Sequence, residues 1–518
     1  NPWKGYTTNV GYIVSVGALS GGSIAPSPVT TGAGAVISLT IKADGGKQLK
    51  SGTLKYNDGT RDVAISGTSF TIPASDVTVY AEFESTALSD EDTYTGTIGT
   101  GSGNAGAGKG IVTVTETSAS GNMPHSVTGA ISPEVESDSN GNASAAVTES
   151  QVADAVNKAV NAAAEIGGNT LAKVEIKVDA PVGSKKVETS IPKAALDKVA
   201  GSKADSLAIS TPVATLTFDS KALDSISGEA AGEVKVTVSK VDTSALPDEV
   251  KQMVGDRPVF DFSVISGDKT ISQFGGNVTV SIPYTPKAGE DTNAIVIYYI
   301  NAEGKLETVA NCAYDPATGR ITFKTNHFSQ YAIGYNKVSF TDVDEKAWYG
   351  SAVDFVAARG ITTGTGNGCF SPEAKLSRGQ FLVMVMKAYG IDPDEDPNDN
   401  FTDAGNTYYT GYLAAAKKLG ITTGIGNNMF APEKEVTRQE MFTLMYNILE
   451  QINELPTGTA GKTLTSYNDA DEIASWAQDA MSLFVGTGTI SGSGDRLNPA
   501  DTTTRAEMAQ VLYKLLAK

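Results

Sequence analysis

One pattern of about sixty residues is written three times between Val338 and Lys518, and repetition of that length restricts the fold more than any other feature of the chain. The first copy reads Phe340-Thr341-Asp342, Trp348, the loop Gly364-Thr365-Gly366-Asn367-Gly368, then Phe370-Ser371-Pro372 and Ser377-Arg378-Gly379-Gln380. The second reads Phe401-Thr402-Asp403, Tyr408, Gly424-Ile425-Gly426-Asn427, Phe430-Ala431-Pro432 and Thr437-Arg438-Gln439-Glu440. The third reads Tyr467-Asn468-Asp469, Trp476, Gly492-Ser493-Gly494-Asp495, Leu497-Asn498-Pro499 and Thr504-Arg505-Ala506-Glu507. Opening aromatic to arginine spans 38, 37 and 38 positions. A repeat of this size is one supersecondary unit that closes a core only against its copies.

Each Ser/Thr-Arg-x-Gln/Glu is a capping box, in which the hydroxyl caps a backbone amide three residues on and Gln380, Glu440 or Glu507 reaches back. An apolar run follows each box, such as Phe381-Leu382-Val383-Met384-Val385-Met386, so a helix is expected behind every one. The cap does not explain the arginine, because a cation in the first turn faces the positive end of the helix dipole. Two readings of Arg378, Arg438 and Arg505 stay open on the residues alone. Each pairs with an acid of a neighbouring repeat, or each completes an anion site beside a glycine-rich loop, suited to a carboxylate on a sugar.

This motif set resembles the S-layer homology (SLH) module of bacterial surface proteins, in its usual set of three, over about the last 180 residues. The resemblance implies an all-α, pseudo-threefold domain divided as 337–395, 396–455 and 456–518. It also implies a hold on the cell wall through a secondary cell-wall polysaccharide, commonly one carrying pyruvate ketals. On that reading Arg378, Arg438 and Arg505 bind the polymer. Asp342, Asp403 and Asp469, the aromatics Trp348, Tyr408 and Trp476, and the loop glycines Gly364, Gly366, Gly424, Gly426, Gly492 and Gly494 shape the pockets. Two departures bear on the sites: Tyr408 stands where the other repeats carry Trp, and Gln380 where they carry Glu.

At 518 residues the chain exceeds one core, so several domains are expected. Its 54 glycines and 7% aromatics suit extracellular β-rich modules. With 40 basic against 59 acidic residues the net charge is −19, which argues against nucleic acid and anionic lipid. The repeat region alone holds 14 basic and 23 acidic residues, a net of −9, so an acidic polymer must meet local cationic pockets there. The two cysteines, Cys312 and Cys369, fall in different expected domains and read as free and buried. No stretch reaches the length of a membrane span, so no membrane insertion is expected. No signal-peptide pattern is read at Asn1-Pro2-Trp3, as a processed, secreted start would give.

Residues 1–85 read as a small all-β module: Ala35, Ile37, Leu39 and Ile41 alternate with polar residues, as do Val77, Val79, Ala81 and Phe83, and Asn57-Asp58-Gly59 marks a turn. From Gly21 to Phe83 the stretch resembles the small repeat modules of Gram-positive surface proteins. Residues 86–110 read as a linker: Asp90-Glu91-Asp92 is a solvated acidic run, and 96–110 contains seven glycines. Residues 111–250 read as a mixed α+β domain. It has a capping box at Thr148-Glu149-Ser150-Gln151, strands at 174–178, 214–218 and 234–238, and short helices at Pro192–Gly201 and Ser220–Ile226. Residues 251–336 read as a β-sandwich and faintly resemble ZU5-type sandwiches. The fold class expected is therefore multidomain: all-β, then β-rich α+β and sandwich, then an all-α repeat domain.

Three chemical readings accompany this. His327-Phe328-Ser329 resembles the self-cleaving turn of some ZU5-related domains, with Ser as nucleophile and His as base; the structural alternative makes Phe328 and Tyr331 core anchors and is favoured. Asp392, Asp394, Asp396 and Asp399 offer oxygens to Ca²⁺, but without the glycine-centred loop of an EF-hand, so a solvated linker is favoured. Only His125 and His327 are present, with no metal-ligand spacing, no Gly-x-Ser-x-Gly elbow and no phosphate loop. The function expected is a non-enzymatic surface protein held on the wall polysaccharide, with itself as a further partner in a lattice. An unassembled adhesin or stalk and a self-processing surface protein are the alternatives.

Overall fold

The computed structural model describes residues 12–17, 22–27, 30–43, 47–50, 53–65, 68–85, 111–117, 124–458 and 462–517. The linker expected at 86–110 and the start at Asn1-Pro2-Trp3 lie outside them. The chain divides into two compact units, 1–104 and 105–518.

The first unit is all β. Strands 12–16 and 77–80 pair in parallel at the centre of a five-stranded sheet, beside a three-stranded sheet and a two-stranded one. Ile37, Leu39, Val77 and Val79 face its core, as the period-two pattern requires. The expected turn joins strands 55–57 and 62–64, with Gly59 at φ 89° and Asp58 accepting from the amides of Thr60 and Arg61.

In the second unit, two long sheets carry residues 111–336. The eight-stranded sheet includes strands 215–219, 273–283 and 320–327; the nine-stranded sheet includes 234–240, 259–266 and 330–335. Both sheets run straight through residue 250, where the sequence reading divides the region, because strand 215–219 pairs with 273–283 and strand 234–240 with 259–266. One core, with Phe218, Phe262, Val280, Phe323 and Tyr331, serves both halves. Each fully buried apolar side chain here contributes about 1.5–3 kcal/mol.

Helices α1 (Glu149–Ile166), α2 (Lys193–Ala200), α3 (Ser220–Glu229) and α4 (Asp248–Val254) punctuate the strands. The capping box at Thr148 and Gln151 forms at the start of α1. The close approach of α1 depends on Gly129 in strand 126–132, where an added Cβ would lie 2.3 Å from the carbonyl oxygen of Ala155. The turn His327-Phe328-Ser329 is the crossover from the first sheet to the second. Phe328 and Tyr331 are buried there in an aromatic cluster with Phe218, Phe262, Phe274 and Phe323.

The repeats supply α5 (Gly350–Ala358), α6 (Arg378–Ala388), α7 (Thr410–Lys418), α8 (Arg438–Gln451), α9 (Gln478–Gly486) and α10 (Arg505–Leu516). The second helix of each repeat packs on the first helix of the next: α6 on α7, α8 on α9, and α10 back on α5. Backbone bonds close the same circuit at the centre. Val436 N donates to Leu376 O, Thr503 N to Val436 O, and Leu376 N to Thr503 O.

The junction between the sheets and the repeats is stapled by Arg359, which ends α5 and is 2% exposed. Its guanidinium donates to the carbonyls of Cys312 (2.6 Å), Asn293 (2.7 Å), Phe355 (3.0 Å) and Ile295 (3.1 Å), and lies 3.4 Å from the centre of the Phe355 ring. Among the described residues no carboxylate pairs with it; the carbonyls and the C-terminal end of the helix dipole hold the charge instead. Lys337 bridges Asp291 and Asp354 at 2.7 Å each beside it, and Asn336 donates to Ala358 O. Arg359→Leu keeps most of the volume but strands these buried carbonyls. It should destabilise the second unit by about 3 kcal/mol or more, read as a lower denaturant midpoint.

Candidate functional site

The arginines are committed to the neighbouring repeat. Arg378 Nε donates to Phe430 O at 3.0 Å, Arg438 Nε to Leu497 O at 2.8 Å, and Arg505 Nε to Phe370 O at 2.8 Å. The amides that open each helix follow the same path: those of Arg378 and Gly379 reach Lys434 O and Pro432 O, those of Arg438 and Gln439 reach Asp501 O and Pro499 O, and those of Arg505 and Ala506 reach Ala374 O and Pro372 O. Helix-start amides that would otherwise be orphaned are thus satisfied by the next repeat's loop. The Arg378 guanidinium also sits over the Phe430 ring, and that of Arg505 over Phe370.

The acid partners differ. Arg438 Nη1 reaches Glu507 at 3.0 Å and Arg378 Nη1 reaches Glu440 at 3.7 Å, so two arginines pair with the capping-box acid of the next repeat. For Arg505 the corresponding capping-box position, in the first repeat, is Gln380. Arg505 Nη2 donates to Thr362 Oγ1 at 3.2 Å, and among the described residues no carboxylate lies within ion-pair reach. Burial draws the Arg378 and Arg505 guanidiniums below their ordinary value, opposed by Glu440 and Asp403 beside the first and by Tyr408 and Asp342 beside the second.

The aspartates hold loops within their own repeats. Asp342 accepts from the amides of Phe370 and Ser371, Asp403 from Phe430 and Ala431, and Asp469 from Leu497 and Asn498, all at 2.7–3.1 Å. Ser371, Ala431 and Asn498 are thereby held at φ 59°, 58° and 51°, which L residues rarely adopt. The first glycine of each loop is required by space: a Cβ at Gly364, Gly424 or Gly492 would lie 2.4, 2.1 or 2.6 Å from the carbonyl oxygen of Cys369, Met429 or Arg496. Gly366, Gly426 and Gly494 are positive-φ residues at the open tips of the same loops.

Trp348, Tyr408 and Trp476 are 61%, 62% and 56% exposed, a rare state for large aromatics. A groove of about 380 Å³ gathers Arg378 of the first repeat, Gly424, Ile425 and Glu440 of the second, and Trp476 of the third. This groove therefore draws on three repeats, whereas the sequence reading treats each repeat's pocket by itself. Around Arg505 the corresponding set is Thr362 and Gln380 of the first repeat and Tyr408 of the second, whose hydroxyl is raised mainly by burial and also interacts with Glu433, Gln380 and Arg505.

These repeats match the S-layer homology domain at residues 339–382, 400–442 and 466–509. The chain carries three S-layer homology repeats at its C-terminal end. The Divergent InlB B-repeat domain matches residues 12–87, the first all-β unit. Among curated relatives, the chain is 28% identical to S-layer protein sap of Bacillus anthracis over 34% of its length and 21% of that protein. It is 28% identical to an amylopullulanase of Thermoanaerobacterium thermosulfurigenes over 48% of its length and 14% of that protein, and 31% identical to exoglucanase XynX of Acetivibrio thermocellus over 35% and 16%. It spans about a fifth or less of the relatives named. SLH repeats of this kind place the protein at the cell-wall surface.

Other expected sites resolve as follows. The His327 imidazole lies near Thr325, Asn326 and Tyr331, and no hydrogen bond joins it to Ser329 among the described residues. Asp394 pairs with Lys418 and Asp399 with Lys417, and no described group of three or more ligand-type side chains is placed to hold a metal ion. Cys312 and Cys369 are both free; Cys312 is buried, but Cys369 sits half-exposed in the first glycine loop, its thiol near Thr341 Oγ1 and the Asn367 carbonyl. No described helix is long and apolar enough to cross a membrane. Sequence reasoning missed the Gly360-Ile361-Thr362-Thr363-Gly364 and Gly420-Ile421-Thr422-Thr423-Gly424 segments, whose identity across two repeats is itself a signal. Thr362 and Thr422 each accept from the amide of the following glycine, and Thr422 lines the groove.

Burial pushes the Asp342 and Asp469 carboxyls up, but the paired loop amides outweigh it and hold both below the ordinary value. A depressed carboxyl stabilises the fold above the unfolded-state pKa of about 3.9, and that contribution is lost as pH falls through the lower folded value. Asp469→Asn should lower stability at neutral pH by roughly 1–3 kcal/mol. Its difference from the native protein should shrink as urea midpoints are measured at progressively lower pH below about 4.

Proposed function

We propose that the three SLH repeats form an all-α, pseudo-threefold anchor that binds a secondary cell-wall polysaccharide, and that the protein is a non-enzymatic surface component whose β-rich units are displayed outward. The observation that carries this reading is the imbalance at Arg505. Two of the arginines pair with the capping-box glutamate of the next repeat, whereas the capping box next in the circuit from Arg505 carries Gln380, and Tyr408 interacts with both Gln380 and Arg505. The Arg505 guanidinium, without a carboxylate in ion-pair reach among the described residues, offers positive charge to an acidic sugar such as a pyruvate ketal, while the exposed aromatic offers a flat apolar surface to a sugar ring. The Arg378 groove, with Glu440 present and Trp476 at its rim, is the more neutral site. A protein of net charge −19 binds an acidic polymer only through such local pockets.

The arginines are poor probes, because replacing them removes bonds between repeats as well as charge. Gln380→Glu instead restores the acid found in the other two repeats and should leave the melting temperature unchanged. Co-sedimentation of the full chain with purified wall sacculi should show binding that disappears when the secondary polymer is stripped, and that weakens about tenfold, or about 1.4 kcal/mol, in Gln380→Glu. Tyr408→Ala should weaken it comparably. Equal binding by native protein and both variants, or equal binding to stripped sacculi, would sink the reading.

A further inference from the structure

The two long sheets end in four terminal strands, and three are cut short. Val135–Ser137, Leu306–Thr308 and Ala313–Asp315 have three residues each. The fourth, Ile111–Thr117, has seven and among the described residues pairs on one side only, with 126–132. Open edges invite pairing with another chain, and proteins ordinarily blunt them by shortness, proline, lysine or bulges. This edge has none of these. Its sequence, Ile-Val-Thr-Val-Thr-Glu-Thr, is almost entirely β-branched, and its single charge, Glu116, is engaged by His125 Nε2 at 2.8 Å. Residues Thr113 to Thr117 are exposed, Val114 at 45%.

We propose that this strand is a self-association edge, and that its occupant is the same strand of a second copy running antiparallel. The sequence is complementary to itself about Val114. That register sets Val114 against Val114 of the partner subunit, Thr113 against Thr115 of the partner subunit, and Glu116 against Val112 of the partner subunit. Thr–Thr and Val–Val neighbours are favourable cross-strand pairs, and the two carboxylates never face each other. The chain's own residues 96–110, with seven glycines, have the composition least suited to filling the edge. Pairing of this kind joins two eight-stranded sheets into one of sixteen strands about a two-fold axis. It is a weak contact by itself, since seven paired residues cover well under the roughly 1,200 Å² of a stable interface. It goes beyond wall anchoring and stands whether or not the repeats bind polysaccharide.

Sedimentation velocity of the full chain in solution, without sacculi, over a concentration series should show a monomer–dimer equilibrium. Val114→Lys should move its midpoint at least about tenfold towards monomer while leaving the melting curve unchanged, because Val114 is exposed in the monomer. In a Cys369→Ser background, Val114→Cys should form a disulfide-linked dimer on mild oxidation. Val182→Cys, at a site 99% exposed and far along the chain, should not. A native protein monomeric at every concentration, a midpoint unmoved by Val114→Lys, or equally fast cross-linking at position 182 would overturn the proposal.

Discussion

An arginine at the first turn of a helix is electrostatically misplaced unless something outside the helix holds it. In this protein the neighbouring repeat does so. Each guanidinium lies on the next repeat's loop carbonyl, and the opening amides of the helix follow it. The order of the repeats around the circuit follows that transfer. It ties each helix start to the neighbouring loop and helps bring residues of three repeats to one groove, with Trp476 among its lining.

The same economy appears at the junction. A lone buried cation, Arg359, gathers four carbonyls from both the sheets and α5, with Lys337 and its two aspartates alongside. The sheets and the repeats therefore meet through a polar staple rather than a bare linker. Motions of the sheets relative to the repeats are restricted by bonds that cannot be exchanged for water without leaving buried carbonyls unpaired.

Much of this was legible in the residues. The capping boxes, the presence of three repeats and the alternation in the first unit follow from local chemistry, which a single sequence displays. The aromatic anchors Phe328 and Tyr331 were legible for the same reason. What was not legible is long-range pairing: nothing local says that strand 215–219 finds 273–283, so a domain boundary placed at residue 250 dissolves into two continuous sheets. The pockets were misassembled for the same reason. Arg378 and Trp476 stand about a hundred positions apart in sequence, and only the closing of the circuit brings them to one groove. Arg359 gave no sign, because a buried arginine held by carbonyls has no partner motif to read.

The closed circuit of hydrogen bonds among Leu376, Val436 and Thr503 has a consequence for how such a domain can change over evolutionary time. Every repeat both offers an arginine and receives one, and the third is completed only by the first. A gene that gained or lost a single copy would encode one donor without an acceptor. The number of copies is therefore held by the closure of the circuit, and loss of any one copy unmakes the contacts of the other two.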